Sequence, residues 1–134
     1  MNMARVTQAT HVLLRVVAGV LMLQHGGQKL FGWFAGAGGA PAGTVALMSQ
    51  MGLAGIIEFV GGAAVALGLG TRLAAFLVSG EMAVAYFTAH QPHGTWPIQN
   101  HGETAVLYCF IFLFFAAHGA GGFDLDALRH RKPR

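Results

Sequence analysis

"LAGIIEFVGGAAVALGLG", residues 53–70, is an apolar segment long enough to span a membrane, yet it contains one acidic residue, Glu58. An apolar stretch of about 18 residues with few charges predicts a transmembrane helix. An ionised group at the centre of a bilayer costs roughly 2.5–3.5 kcal/mol on insertion scales. The acidic residue therefore needs an explanation, either a buried partner or a function.

Three further apolar segments of similar length also contain polar residues. Residues 11–31 contain Arg15, His25 and Lys29, residues 72–90 contain Glu81, and residues 101–119 contain Glu103. The 134-residue chain is 54% hydrophobic and only 10% charged, whereas soluble domains are about 25% charged. This composition predicts an integral membrane protein.

The segments predict an all-α fold, a membrane four-helix bundle in one domain, with helices at about 11–31, 51–69, 72–90 and 101–119. Residues 32–50 fit a long loop, an interfacial helix or a re-entrant segment. The first segment has no clear cleavage site, so we expect it to be retained. Arg5, Arg72 and the basic tail 129–134 fall on one side, which predicts a multi-pass protein with both termini in the cytoplasm. Because the basic residues are explained by orientation, no nucleic-acid partner is expected.

In this topology, polar groups from all four helices converge toward the outer half of the bundle, whereas Arg15 and His118 are expected closer to the inside. The candidate ligand-pocket residues are Arg15, His25, Lys29, Glu58, Glu81 and Glu103. Two interpretations stay open. Glu58 pairs with Lys29 or Arg15 and only holds the helices in register, or these groups line a pocket for protons, an ion or a polar head group. For Glu103 and His101, near the water boundary, helix capping and solvation are favoured over chemistry.

Three histidines and the single cysteine are the remaining residues whose side chains suggest chemistry. His90, His93 and His101 surround one predicted outer loop and are candidate metal ligands. Their spacing matches no established metal motif, so metal binding is the less favoured interpretation. Cys109 cannot form an internal disulfide or a CxxC pair, and it is interpreted as a small apolar core residue.

Several motifs together resemble the DoxX family of small bacterial four-helix membrane proteins. They are "RVVAGVLMLQHGGQKLFG", "EFVGGAAVALGLGTRLAA", "EMAVAYFTAH" and "NHGETAVLYCFIFLFFAAHGAGGFDLD", and the correspondence runs from about residue 12 to 126. His101, inserted between Asn100 and Gly102, departs from the family's N-G-E pattern. The resemblance implies a bacterial inner membrane protein, with some members linked to membrane redox complexes. The positions that carry the pattern are Arg15, His25, Gly26, Lys29, Glu58, Gly62, Arg72, Asn100, Glu103 and Asp126.

Three functional hypotheses follow, and none assigns a catalytic residue. The first is an accessory subunit of a membrane oxidoreductase, with a redox protein partner, that binds a quinone. His25 or Lys29 then donates a hydrogen bond to a quinone oxygen, and Glu58 exchanges a proton. The second is a transporter for protons, metal ions or a small solute. The third is a non-catalytic scaffold, and the glycine-rich helix faces are also compatible with a homo-oligomer.

Overall fold

The computed structural model describes residues 2–35 and 43–129, which form helices and no strands. The helices are α1 (Met3–Phe31), α2 (Gln50–Leu67), α3 (Thr71–Ala85), α4 (Pro97–Asn100), α5 (Glu103–His118) and α6 (Leu125–Arg129). A π-helical turn, Tyr86–His90, and a 3-10 turn, Gln91–His93, continue α3. The predicted all-α membrane class is confirmed, since α1, α2 and the continuous Thr71–His93 segment are long and apolar enough to cross a membrane. The apolar α5 is shorter, at 16 residues.

The helix boundaries differ from the prediction at both ends of the chain. α1 begins at Met3 rather than at residue 11, because Asn2 caps it and accepts a hydrogen bond from the backbone N–H of Ala4 at 3.1 Å. Its 29 residues span about 43 Å, more than the roughly 30 Å of a hydrocarbon core. α5 begins at Glu103 because His101 adopts a left-handed conformation, with φ of 57°. Residues 36–42 of the predicted connection and 130–134 of the basic tail lie outside the described residues.

Glycines allow α1 and α2 to approach until their backbones touch. A Cβ atom on Gly19 would lie 2.6 Å from the backbone nitrogen of Ala66. A Cβ atom on Gly26 would lie 2.7 Å from the carbonyl oxygen of Gly55, and one on Gly62 would lie 2.7 Å from that of Gly19. The glycines repeat every seven residues on both helices, so they line one seam of an antiparallel pair. Small residues drive such packing in lipid, where helices gain no hydrophobic free energy from association.

The hydrophobic core lies where α3 packs on α5 and on the α1–α2 pair. Its fully buried members include Val65, Val78, Phe112 and Phe115. Ser79, also buried, donates a hydrogen bond to the carbonyl oxygen of Cys109 at 2.8 Å. The Ser79 hydroxyl therefore has a hydrogen-bond partner on α5, although it lies inside the apolar core.

Arg15 ties α1 to the segment that follows α5. Its side chain is 2% exposed. Nη1 donates to the carbonyl oxygens of Ala120 at 2.6 Å and Gly122 at 3.2 Å, and Nη2 donates to that of Phe123 at 3.0 Å. One guanidinium group thereby bonds three backbone carbonyl oxygens of the segment after α5. We call this end of the molecule, which also holds the α2–α3 connection, the hairpin end.

Two further charged residues complete the hairpin end. The Asp126 carboxylate accepts a hydrogen bond from the backbone N–H of Gly70 at 2.6 Å, at the start of α3. Arg72 donates to the carbonyl oxygens of Ala116 and Ala117 in the last turn of α5, where a cation also interacts favourably with the helix dipole. Hydrogen bonds from charged side chains to backbone groups therefore join the elements at the hairpin end.

The glycine seam makes a first prediction. Gly26→Ala places a methyl group against the backbone of α2, and we expect it to lower the free energy of unfolding by about 1–3 kcal/mol through overpacking. Gly80→Ala is the matched control, since no atom lies within 4 Å of its Cβ position. It should be neutral or slightly stabilising, because alanine has the higher helix propensity. Circular dichroism melting in detergent measures both; equal melting temperatures for the two variants would contradict close α1–α2 packing.

The hairpin end makes a second prediction. Arg15→Met keeps an apolar side chain of similar length but removes the donors to three carbonyl groups. We expect residues 119–126 to become sensitive to proteolysis at temperatures where the helices remain folded. The matched control is Arg5→Met, at an exposed position on α1. Mass spectrometry of limited digests locates the first cleavage, and an unchanged digestion pattern for Arg15→Met would argue against this role.

Candidate functional site

The site is built on an ion pair between α1 and α2. The Lys29 ammonium group donates a hydrogen bond to Oε1 of Glu58. Glu58 is 1% exposed, whereas the Lys29 side chain is 20% exposed. Gly26 and Gly55, one turn before each partner, let the two helices come close enough for this contact. Lys29 is therefore the accessible partner of the pair, and the Glu58 carboxylate is the buried one.

Two cavities flank Lys29. The α2–α3 cavity, of about 400 Å³, is walled mainly by apolar side chains such as Met51, Leu53 and Val84. Its polar residues are Lys29, Gln50, Glu81, Thr88 and His90. A mostly apolar wall with a few converging polar groups is typical of a small-molecule site.

The second cavity, the α1–α5 cavity, has a volume of about 300 Å³. Lys29, Ala85 and His90 line both cavities. The polar residues of the α1–α5 cavity are His25, Lys29, Glu58, His90, His101, Thr104 and Tyr108. The structure therefore places Lys29 and His90 between two chambers, each with its own carboxylate.

The carboxylates keep unused hydrogen-bonding capacity. Oε2 of Glu58 and Oε2 of Glu81 are buried, and neither has a hydrogen-bond partner among the described residues. Glu81 lies within electrostatic reach of both Lys29 and Glu58. Two carboxylates share one ammonium group, so the cluster carries one excess negative charge when all three groups are ionised. Such a cluster favours a proton, a cation or a hydrogen-bond donor.

The π-helical turn and the loop after it orient His90. Its Nδ1 lies 3.1 Å from the carbonyl oxygen of Asn100. A carbonyl oxygen only accepts, so Nδ1 carries the hydrogen and Nε2 of the neutral ring is the acceptor. Asn100 is itself buried, donates to the Gly94 carbonyl oxygen at 2.9 Å and accepts from the Gly102 backbone N–H at 2.8 Å. The loop thus fixes the ring tautomer at the cavity wall.

Four of the six predicted pocket residues, His25, Lys29, Glu58 and Glu81, line the two cavities. The other two candidates, Arg15 and Glu103, do not line either cavity. Arg15 is engaged by carbonyl groups at the hairpin end. Glu103 is exposed in the first turn of α5 and lies outside both cavities.

Among the candidate metal ligands, His93 and His101 are exposed and His90 is half-buried. Within residues 2–35 and 43–129, no group of three His, Cys, Asp or Glu side chains is close enough to share a metal ion. We therefore build no metal site on these residues. The sequence reasoning gave no role to Tyr108, Thr88 or Gln50; their positions facing the cavities follow from helix phase, which one sequence does not fix.

Comparison with known protein families identifies the family of this chain. The DoxX family model matches residues 10–91. The chain belongs to the DoxX family. The matched region of this DoxX protein contains α1, α2 and α3, and with them Lys29, Glu58, Glu81 and His90. The family resemblance predicted from the sequence motifs is therefore confirmed.

One relative of this DoxX protein was found among curated proteins. An uncharacterized protein of Haemophilus influenzae is 40% identical over 119 residues, which cover 84% of this chain and 85% of the relative. No solved structure matches the chain. The comparisons thus establish the family and do not identify a function.

The ion pair makes a third prediction. Lys29→Met leaves the buried Glu58 carboxylate unpaired, and we expect a loss of about 3–5 kcal/mol in the free energy of unfolding. The double variant Lys29→Met/Glu58→Met replaces the pair by two apolar side chains and should recover most of that loss. Unfolding in detergent, followed by circular dichroism, measures the coupling. Additive losses in the double variant would mean that the two groups do not stabilise each other.

Proposed function

We propose that this DoxX protein binds the ring of a lipid-soluble quinone in the α2–α3 cavity. The observation that carries the proposal is the buried, unbonded Oε2 atom of Glu81 in a mainly apolar cavity that also contains Lys29 and His90. The volume of about 400 Å³ lies within the range of small-molecule sites. A quinone ring matches such a site, because it has apolar faces and two oxygen atoms that accept hydrogen bonds and protons.

In this proposal the polar residues divide the work. The Lys29 ammonium group has three N–H donors, and Glu58 uses one, so another can reach a quinone oxygen. Glu58 is therefore the group that orients Lys29. The sequence hypothesis gave proton exchange to Glu58, but Glu81 now suits this role better because neither of its oxygens is committed to Lys29.

The residues fit the chemistry that a bound quinone supplies, which is the uptake of two electrons and two protons to give a quinol. Glu81 holds or moves one proton at the cavity wall, and His90 provides a second titratable group within the same cavity. The electrons come from a redox protein partner, which makes this chain an accessory subunit. The mainly apolar walls suit contact with the apolar faces of the ring.

We further propose that α5 is a fourth membrane span and that both termini are cytoplasmic, in the bacterial inner membrane. Leu107 and Phe110 of α5 are more than 60% exposed, which suits contact with lipid. Arg5, in the first turns of α1, and Arg72, at the hairpin end, supply the positive charge expected on the cytoplasmic side.

A second candidate function is the transport of protons or a cation. It is favoured by one specific observation, the two unbonded carboxylate oxygens on either side of a single ammonium group. Flux across proteoliposomes driven by a pH or cation gradient supports transport, whereas quinone binding without flux supports the first proposal. Under the scaffold hypothesis, the stable Lys29→Met/Glu58→Met variant behaves like the wild type in every assay.

The quinone proposal makes a fourth prediction. Glu81→Leu removes the carboxyl group, which in its protonated form donates a hydrogen bond to a quinone oxygen, and we expect it to weaken binding of a quinone with one isoprene unit by about threefold to tenfold, which corresponds to one hydrogen bond. Glu103→Leu is the matched control, since Glu103 lies outside the cavities. Native mass spectrometry of the purified protein in detergent measures the bound fraction. Equal binding by both variants, or no binding by the wild type, would contradict the proposal.

A further inference from the structure

An apolar groove between the same two helices adjoins the α2–α3 cavity at Ile57. The groove has a volume of about 290 Å³, and Ile57 lines both the groove and the cavity. Every residue along it is apolar or glycine, including Val60, Ala64, Leu73 and Leu77. The groove thus extends from the α2–α3 cavity toward the hairpin end, and no polar residue lines it.

Small residues create this groove. Gly61 and Ala64 on α2 face Ala74 on α3 along its floor. From Ile57 to Ala64 the groove runs about 10 Å at 1.5 Å per residue. Its rims are open to the bilayer, since Val60 is 60% exposed and Leu73 is 67% exposed. A flexible apolar chain can therefore enter from the lipid without passing through water.

We infer that the ligand of this DoxX protein carries an isoprenoid tail, and that the tail lies in the α2–α3 groove while the ring occupies the α2–α3 cavity. This inference rests on the proposed quinone site and adds what selects the ligand. The two spaces are adjacent, since Ile57 lines both of them. The groove thereby favours long-tailed quinones over water-soluble ones.

Charge argues against a phospholipid as the occupant. In the α2–α3 cavity its phosphate would meet the Glu81 carboxylate and the Lys29 ammonium group, which is already paired with Glu58. The excess negative charge of this cluster repels an anionic head group, whereas the neutral ring of a quinone carries no such penalty. An isoprenoid chain on an uncharged head therefore fits both parts of the site.

A rival groove provides the control. It lies between α3 and α5, has a volume of about 390 Å³ and is lined by Ala83, Phe87 and Phe110 among others. It meets the α1–α5 cavity at Met82, which is only 7% exposed, and Glu81 does not line it. A bulky residue in this groove should leave the proposed ligand unaffected.

The test titrates the full-length protein in detergent with two quinones that share one ring and carry one or several isoprene units. Ala64→Phe fills the α2–α3 groove, and Ala83→Phe fills the rival groove. We expect Ala64→Phe to weaken binding of the long-tailed quinone by roughly threefold to tenfold, because a tail that leaves an apolar phase gains only packing. Binding of the one-isoprene quinone should not change, and Ala83→Phe should change neither.

The outcomes separate the two proposals. If Ala64→Phe binds both quinones like the wild type, or if Ala83→Phe alone weakens the long-tailed one, the tail inference fails while the ring site stands. If the wild type binds neither quinone, both proposals fail. A quinone with a photoreactive tail gives an independent readout on unmodified protein. Labelling of α2 and α3 peptides around Ile57 and Leu73 is the expected result, and labelling confined to α5 would overturn the inference.

Discussion

The contact of the α1 and α2 backbones at their glycines is the constraint on which the rest of the structure depends. Gly19 and Gly26 lie against Gly62 and Gly55 so closely that side chains could not be accommodated without a shift. This distance allows the Lys29 ammonium group to reach the buried Glu58 carboxylate. Without that partner, Glu58 would be an uncompensated charge in an apolar bundle, which is strongly destabilising. Packing by small residues thus makes a buried carboxylate tolerable next to a cavity.

The polar residues that looked anomalous in the sequence separate into two groups at opposite ends of the helices. At the hairpin end, Arg15, Arg72 and Asp126 bond to backbone groups and close the molecule. At the other end, Lys29 and Glu81 face a cavity, and part of their hydrogen-bonding capacity is unused. The first group stabilises the fold, and the second group forms the site at which we propose that a ligand binds.

Sequence reasoning identified the membrane class, the packing role of the glycines and the candidates Lys29, Glu58 and Glu81, because hydropathy and charge record burial in lipid directly. Arg15 and Glu103 were also pocket candidates, although Arg15 was expected nearer the inside and capping was favoured for Glu103; depth along a helix does not show which backbone carbonyls or cavities lie beside a residue. The early start of α1 at Met3 was missed because the added turns are polar and lie beyond the apolar run. The π-helical turn that brings His90 to the cavity has no signature that a single sequence reveals.

We propose that Lys29 and Glu81 hold a ligand rather than only balance charge within the protein. An experimental structure of the protein purified in lipid nanodiscs, without added ligand, tests this most directly. We expect density for a quinone ring between Lys29 and Glu81, with its isoprenoid tail passing Ile57 along α2 and α3. A structure in which Glu81 bonds to a protein side chain and the helices close over an empty α2–α3 cavity would contradict it.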